Sequence, residues 1–463
     1  MKNLFKQIIV DFHRSTLPKP SRRDIELPKL SRNLRKAFIF VGMRRSGKTW
    51  ALYQQMQDLI EQGTNIEKIL YINFADDRLF GLHAKDLKHI LDAYFELYPN
   101  YINNSNVCFF FDEIHEVPNW EAFIRRLLDT KKMKIYISGS SAKMLSKEIA
   151  TLLRGRAIVR EIFPFSFREY LQYYDIKLKF PVSSDQQSLI KHHLYNFLIR
   201  GGFPEALEQL TVTLAPKRKP TLQKAKTTEL LSRDFYELLQ GYIDSVIYRD
   251  IIVRYQIKNS HIIKNLLVSC LKNSTKLFSV HKIFNDLKSQ GYAVSKNSLY
   301  KFMDYFENAY CVFNLPAYGF SMRKGANKEK KIYLIDQGLI TAYTIKNDFE
   351  DFARLETAVF LHLRRRSKEI YYYQTKTGKE VDLLCVESNG KISLFQVSTS
   401  LSDQSTKNRE IEALQQAMQE LNIKSSTIVT LDDEEEIKFG QKRIDCTPLW
   451  KFLLDKNEML GRC

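Results

Sequence analysis

The chain has 463 residues, of which 44% are hydrophobic and 27% are charged, a composition typical of globular domains and unlike that of disordered chains. It holds 71 Lys and Arg against 53 Asp and Glu, a formal net charge of +18. No apolar run approaches the ~18 residues that a membrane span requires, and the N-terminal residues are too briefly apolar for a signal peptide. The six cysteines form no Cys-x-x-Cys pair, which argues against a zinc site and a disulfide framework. We therefore expect roughly two to four domains in a reducing cytoplasm, with no membrane partner.

The positive charge is uneven along the chain. Residues 1–50 hold 13 Lys or Arg and 3 Asp or Glu. Such an excess predicts a polyanionic partner such as nucleic acid, and it is equally compatible with a solvated basic surface or a protein partner. The cations that would form a nucleic-acid footprint are Arg22, Arg23, Lys29, Arg32, Arg35, Lys36, Arg323, Lys324, Lys328, Lys330 and Lys331.

Residues 1–35 are polar, basic and proline-containing, which predicts an extended arm with one short helix at its start. From there to about residue 165, hydrophobic strand patterns alternate with helical patterns. This alternation predicts an α/β domain, a parallel sheet with helices on both faces. The expected strands are 36–41, 69–74, 107–112 and 134–138, and the expected helices are 49–62, 87–97 and 120–129.

The pattern changes beyond residue 165. Residues 166–225 are predicted to form a helical lid and a linker, with a basic, proline-flanked stretch at 216–220, and residues 226–330 a helical region. Residues 331–463 predict a second α/β domain. Its expected strands are 331–334, 370–374, 380–386, 391–398 and 426–431, with a helix at 408–421.

A phosphate-binding motif follows the first strand. The sequence Gly42-Met-Arg-Arg-Ser-Gly-Lys-Thr49 matches G-x-x-x-x-G-K-[ST] at every fixed position, between a hydrophobic strand and a helix. Its backbone N–H groups are expected to face the phosphates of ATP, with Lys48 on the β- and γ-phosphates and Thr49 on Mg²⁺. The predicted nucleotide-binding residues are Gly42, Arg44, Arg45, Ser46, Gly47, Lys48 and Thr49.

An acidic pair ends the strand at 107–112. Asp112 is expected to hold Mg²⁺, and Glu113 to act as the general base on the attacking water. A further strand lies between the two motifs in the sequence, which is typical of ATPases that keep a catalytic glutamate. The chemistry predicted is Mg²⁺-dependent ATP hydrolysis.

Two further catalytic residues are predicted downstream. In Ile135-Tyr-Ile-Ser-Gly-Ser-Ser141, Ser138 or Ser140 is placed to contact the γ-phosphate or the water, and we take Ser140; a plain strand end is the alternative. Arg156 is predicted to act as an arginine finger in a neighbouring subunit, which implies a homo-oligomer. A surface or salt-bridged arginine is the alternative.

Taken together, these motifs resemble the prokaryotic AAA-type P-loop ATPases that carry a C-terminal nuclease-like domain of unknown function. The resemblance runs from about Leu34 to Ser398. It implies an ATPase domain followed by a helical region, a winged helix and an α/β domain. The segments that carry it are GMRRSGKT, FFFDEIHEVPNWE, YISGSSAKML, LRGRAIVREIFPFSFREYL, GGFPEAL and YRDIIVRY.

The residue pattern at 278–306 suits the implied winged helix, with helix, glycine turn, Ser295 cap and second helix. That second helix would expose Lys296, Asn297 and Lys301 for nucleic acid. A winged helix used only for packing is the alternative.

The restriction-nuclease-like pattern of the last domain is incomplete. Related metal nucleases place an acid on a helix, matched by Glu356, and an aspartate on a strand, matched by Asp382. Gln396 replaces the acidic Mg²⁺ ligand, and Ser398 replaces the lysine that activates water. Because a neutral amide is a poor ligand for a hard dication, we expect this domain to be inactive as a nuclease.

The leading interpretation is a cytoplasmic AAA-type ATPase whose C-terminal half binds nucleic acid or a protein partner. One alternative is an ATP-dependent signalling or defence switch that controls assembly. The other is a nuclease with a relocated active site.

Overall fold

The computed structural model describes residues 1–28, 35–102, 106–131, 133–140, 151–179, 181–211, 233–319, 329–344, 348–387 and 389–455. The chain divides into two compact units, Met1–Phe163 and Pro164–Cys463. Among the described residues, no helix is long and apolar enough to cross a membrane.

The first unit is built on a parallel sheet of five strands in the order β2-β3-β4-β1-β5. Strands β1 and β3 are buried along their whole length, because their hydrophobic runs are covered on both faces. The strands are β1 (Ala37–Gly42), β2 (Ile69–Asn73), β3 (Cys108–Asp112), β4 (Lys134–Ser140) and β5 (Ala157–Glu161), and the helices are Lys2–Arg14, Lys48–Glu61, Lys88–Leu97 and Trp120–Thr130. The sequence predicted β1 to β4 and missed β5.

The N-terminal helix belongs to this unit. It buries Phe5, Ile8 and Ile9. At its end, one ring nitrogen of His13 lies 2.8 Å from the carbonyl oxygen of Ile69 on β2. The first residues thus form the helix that the sequence predicted at the start of the chain, but this helix packs on the sheet domain and is not part of an extended arm.

In its described residues, the second unit contains two sheets. An antiparallel sheet has the order β6-β8-β7, and two helices separate β6 from β7 along the chain. A mixed sheet has the order β13-β14-β12-β11-β10-β9. The strands are β6 (Leu277–Phe278), β7 (Val312–Leu315), β8 (Lys330–Leu334), β9 (Ile370–Gln374), β10 (Glu380–Val386), β11 (Ile392–Val397), β12 (Ser425–Thr430), β13 (Glu435–Phe439) and β14 (Lys442–Pro448).

Helices surround these sheets and fill the segment before them. Three α-helices of the second unit, Ser184–Arg200, Asp348–Arg364 and Gln404–Glu420, have 17 residues each. The others are Phe167–Tyr173, Pro204–Thr211, Arg233–Ser245, Val253–Tyr255, Ser260–Lys272, Val280–Ser289, Lys296–Asn308, Gly338–Tyr343 and Leu449–Leu454, with a π-helical segment at Val246–Ile252.

The Gly201-Gly202 pair of the sequence is explained by Asp336. The Asp336 carboxylate accepts hydrogen bonds from the N–H groups of Gly202 (2.7 Å) and Gly338 (2.8 Å). Gly201 has a φ of +78°, and a Cβ there would lie 1.8 Å from Asp336 Oδ1. Only glycine fits this contact, which joins two segments 134 residues apart.

Candidate nucleotide site

The predicted nucleotide-binding motifs meet at one edge of the parallel sheet. Gly42 ends β1, Asp112 ends β3, and β4 lies between these two strands. Backbone pairing places Gly42 opposite Ser140, at the end of β4. The carboxyl ends of parallel strands are where α/β proteins bind ligands, so this edge carries the candidate site.

The loop between β1 and the following helix is shaped for an anion. Gly47 has a φ of +96° and precedes the helix that begins at Lys48, whose N-terminal N–H groups are free of intrahelical partners. The buried Lys48 ammonium donates to the carbonyl oxygens of Gly42 (3.2 Å) and Met43 (3.1 Å). The hydroxyl of Ser46 is buried and, among the described residues, has no hydrogen-bond partner. A phosphate oxygen is an acceptor that suits both groups.

The remaining predicted loop residues lie at the turn itself. Arg45 is exposed and has a φ of +67°, and Arg44 beside it is half-buried.

Asp112 is held by hydroxyl groups from three other segments. It is 1% exposed, and Tyr71 donates to its Oδ2 at 3.0 Å. Ser138 donates to its other oxygen, and Thr49 also hydrogen-bonds to it. Burial, reinforced by the neighbouring Glu113, raises the pKa of Asp112. A carboxylate and a hydroxyl in direct contact form the hard oxygen donor pair that Mg²⁺ prefers, so Thr49 and Asp112 fit the predicted metal.

Glu113 adopts a left-handed conformation with a φ of +51°. Its N–H donates to Ser138 Oγ at 3.1 Å, and its carboxylate lies 3.1 Å from Nδ1 of the buried His115. The other nitrogen of His115 lies 3.1 Å from Glu116. The side chain of Glu113 is 22% exposed, which leaves the carboxylate accessible to water. Non-glycine residues in this conformation concentrate at functional sites.

Of the two predicted serines, Ser138 contacts both acidic residues. The structure describes the backbone of Ser140 but not its side chain, so the catalytic role of Ser140 stays a prediction. Ser138 connects β4 to the acidic pair and holds the position of both residues at the sheet edge.

Arg156 lies away from this edge. Its carbonyl accepts a hydrogen bond from Ala37 at the start of β1, whereas the phosphate loop follows the end of that strand. Its guanidinium pairs with Asp129. At about 3.3 Å per residue, the length of β1 separates Arg156 from the loop by about 17 Å. Arg156 is therefore not part of its own chain's site.

One contact to the loop was not predicted. The buried Arg23 donates to the carbonyl oxygens of Ser46 (3.0 Å) and Phe163 (2.6 Å). Its backbone exchanges two hydrogen bonds with the side chain of Gln54. Arg23 thus supports the phosphate loop from inside the protein. The sequence analysis placed it among the surface cations of a nucleic-acid footprint, and that assignment is wrong. No local sequence signal marks Arg23, because its partners are 23 to 140 residues away.

The strand order and the two motifs define a P-loop ATPase fold in the first unit. Comparison with known families agrees: a model described as "AAA domain" matches residues 34–171. Two models described as domains of unknown function match residues 224–350 (DUF8612) and 353–452 (DUF4143). The chain belongs to the family of AAA-type P-loop ATPases with these C-terminal domains of unknown function.

Relatives extend over the whole chain. The uncharacterized protein MJ1544 of Methanocaldococcus jannaschii is 32% identical, covering 98% of this chain and 96% of its own. An uncharacterized protein of Haemophilus influenzae is 30% identical, covering 75% of this chain and 78% of its own. Among solved structures, the Walker-type ATPase PABY2304 of Pyrococcus abyssi is similar with 13% identity and a TM-score of 0.41, covering 68% of this chain and 92% of its own.

Proposed function

We propose that the first unit binds ATP with Mg²⁺ and hydrolyses it. The observation that carries this proposal is the double contact of Ser138, which donates to Asp112 and accepts the N–H of Glu113. One serine thereby fixes a buried carboxylate and a water-accessible carboxylate beside the phosphate loop. This combination supplies a metal ligand and a general base at one phosphate.

Each residue of the candidate site has a proposed role. Lys48 leaves the loop carbonyls to pair with the β- and γ-phosphates, and the loop from Gly42 to Thr49 encloses them. Thr49 and Asp112 would hold Mg²⁺, which would neutralise charge on the phosphate oxygens. Glu113 accepts the proton of the attacking water, and Ser140 contacts the γ-phosphate.

Two variants separate binding from hydrolysis. Lys48→Ala is expected to lose nucleotide affinity, because the phosphate charge loses its buried partner. Glu113→Gln is expected to keep that affinity and to lose turnover by at least ~10²-fold, the scale of general-base catalysis. Binding of a fluorescent nucleotide measures the affinity, and phosphate release measures the turnover. Glu121→Gln is the matched control. Turnover near that of the wild type in Glu113→Gln would contradict the assignment.

For the second unit, we propose nucleic-acid binding through a winged helix. The order β6, two helices, β7 and β8 supports it, since this is the element order of winged-helix modules. On the second helix, Asn297, Tyr300 and Lys301 are exposed at spacings of three and four residues, so they share one face. An amide, an aromatic ring and an ammonium together suit contact with bases and phosphates.

The proposal for the last domain is a nuclease-like fold without nuclease activity. Gln396 and Ser398 are buried at the positions where an acid and a lysine would act. The test compares ATP turnover with duplex DNA, with RNA and with neither, while molecular mass and strand cleavage are followed in parallel. Stimulation without cleavage is the expected result. An ATP-dependent change in mass without stimulation would favour the assembly switch, and Mg²⁺-dependent cleavage abolished by Asp382→Ala would favour the relocated nuclease.

A further inference from the structure

A buried ionic cluster lies where the nuclease-like pattern would hold its metal. Glu356 of the Asp348–Arg364 helix and Asp382 of β10 come together, as the pattern predicts. Both are buried, and Glu380 at the edge of the cluster is partly exposed. Among the described residues, however, no group of three or more His, Cys, Asp or Glu side chains is arranged to hold a metal ion.

The cation at the centre of this cluster is Lys331, from strand β8. Its Nζ lies 2.8 Å from Glu380 Oε1, 2.9 Å from Asp382 Oδ1 and 3.3 Å from Glu356 Oε1. An ammonium has three N–H donors, one for each of these carboxylates. The distances are those of hydrogen bonds, whereas Mg²⁺ requires oxygen ligands at about 2.0–2.1 Å.

Protein groups other than Lys331 also donate to the two buried acids. Tyr333 donates to Glu356 Oε1 at 2.6 Å, and the N–H of Val397 donates to Asp382 Oδ2 at 3.0 Å. Both buried acids are therefore hydrogen-bonded to protein donors in addition to the ammonium. Lys331 itself is 4% exposed, so the ammonium has little access to water.

Gln396 fits this lysine-centred arrangement better than an acid would. Its amide oxygen accepts the N–H of Asp382 at 3.2 Å, and its amide nitrogen donates to Glu410 Oε2 at 2.6 Å. A carboxylate at position 396 could not donate to Glu410, and it would add like charge beside Asp382. An amide at position 396, in place of an acid, is therefore consistent with a cluster that already contains its own cation, the Lys331 ammonium.

The protonation behaviour of the cluster agrees with this geometry. Burial alone lowers the pKa of Lys331, but Asp382 and Glu356 outweigh it and hold that pKa well above its usual value. Burial raises the pKa of Glu356 to about 7, and Lys331 opposes this rise. The ammonium is therefore a permanent charge on which the buried acids depend.

We propose that the Lys331 ammonium is the resident cation of this site, in place of a divalent metal. It ties strand β8 to the helix of Glu356 and to strand β10, and it makes the site structural. The corollary is a latent metal site: removal of the lysine leaves carboxylates that a divalent cation can bridge. This inference does not depend on ATP hydrolysis by the first unit.

The test uses Mn²⁺ as the probe, on nucleotide-free full-length chain carrying Asp112→Asn so that the nucleotide site adds no metal ligand. Electron paramagnetic resonance counts bound Mn²⁺, and thermal unfolding reports the stability of the fold. The variant is Lys331→Ala, and the control is Lys330→Ala, whose lysine is the exposed neighbour.

Lys331→Ala is expected to lower the unfolding temperature by about 5–10 °C, since it leaves buried acids uncompensated. Saturating Mn²⁺ should restore at least half of that loss, and one Mn²⁺ ion should bind to each chain. The parent protein, which carries Asp112→Asn alone, and the Lys330→Ala control should show neither effect. A parent protein that binds Mn²⁺ and loses it on Asp382→Asn would overturn the proposal. So would a folded Lys331→Ala with the stability of the parent.

A second variant covers the case in which Lys331→Ala does not fold. Lys331→Met with Glu356→Gln removes one carboxylate together with the cation and fills the space of the side chain. It is expected to fold and to be more stable than Lys331→Met alone. A double variant less stable than Lys331→Met alone would show that the two residues do not compensate each other, and the proposal would fail.

Discussion

The guanidinium of Arg23 donates a 3.0 Å hydrogen bond to the carbonyl oxygen of Ser46, in the middle of the phosphate loop. The loop backbone must turn its N–H groups toward phosphate, which directs carbonyl groups the other way. A buried cation that donates to one of these carbonyl groups, that of Ser46, stabilises this orientation of the backbone. The N-terminal segment is thereby part of the nucleotide site's support.

Arg23→Met should therefore weaken ATP binding by roughly tenfold or more, because the charge-assisted hydrogen bond to the loop carbonyl of Ser46 is lost. The unfolding temperature should fall as well. Nucleotide titration followed by fluorescence measures the first effect. Arg22→Ala is the matched control, since Arg22 is exposed and pairs with Asp58 at the surface. Equal affinities in the two variants would show that Arg23 does not support the loop.

His115 is expected to orient the general base. It lies between the carboxylates of Glu113 and Glu116, at 3.1 Å from each, and its ring is buried. His115→Ala should lower kcat by about tenfold and leave KM nearly unchanged, because the carboxylate loses its orientation and the loop keeps its nucleotide contacts. Steady-state kinetics separate the two constants, with His89→Ala as control. A rise in KM at constant kcat would assign His115 to binding instead.

Arg156 is expected to act in a neighbouring subunit. It lies at the opposite end of β1 from the loop, so an effect on hydrolysis cannot arise within one chain. Arg156→Ala and Lys48→Ala should each be inactive, and mixing them should restore part of the turnover at interfaces that pair an intact loop with an intact arginine. Phosphate release from mixtures of defined ratio measures this. If both variants assemble and no mixture recovers, the role in trans is wrong.

The parts of the fold that sequence predicted are those with local signals. The phosphate loop and the Asp112-Glu113 pair were found because fixed spacing and a hydrophobic strand mark them. Arg23 and Lys331 were assigned to a surface footprint, because both lie in basic segments and nothing local shows that their partners are distant. A buried cation is recognised only when its acceptors are in place, and those depend on tertiary structure.

The sequence alone also could not show which of the other basic residues of the predicted footprint have partners within the protein. Arg35 donates to backbone carbonyls at the end of the Trp120–Thr130 helix. Lys29, Arg32, Arg323, Lys324 and Lys328 lie outside the described residues. Residues 432–436 form an acidic run, and carboxylates of this run form ion pairs within the second unit. Their partners include Lys191, Lys407 and Lys451.

Asp336 predicts a pH dependence of stability. Burial raises its pKa to about 7, against the two glycine N–H groups that lower it. A raised folded-state pKa stabilises the fold most below the unfolded pKa of about 4, and this contribution is lost as the pH rises to about 7. Asp336→Asn stays neutral at every pH. The variant should therefore be less destabilised relative to wild type at pH 8 than at pH 5 in urea unfolding, and the opposite order would contradict the assignment.

The last prediction concerns the exposed face of the Lys296–Asn308 helix. If about three lysines on or near this helix contact phosphates, the logarithm of the affinity for duplex DNA should fall with the logarithm of the salt concentration at a slope near −3. Lys301→Ala should weaken binding to all sequences alike and flatten the slope by about one, because a phosphate contact carries no sequence information. Asn297→Ala should instead change the preference between sequences, since an amide can read base edges.

Fluorescence anisotropy with short duplexes and with single-stranded RNA, at several salt concentrations, measures these effects. Lys264→Ala is the control, because Lys264 lies on the preceding Ser260–Lys272 helix and approaches Asp244 at 3.8 Å. An unchanged slope in Lys301→Ala, with binding intact, would place the footprint elsewhere on the chain. Absence of binding to either nucleic acid at low salt would exclude the nucleic-acid proposal, and the basic excess would then be explained by a protein partner or by a solvated basic surface.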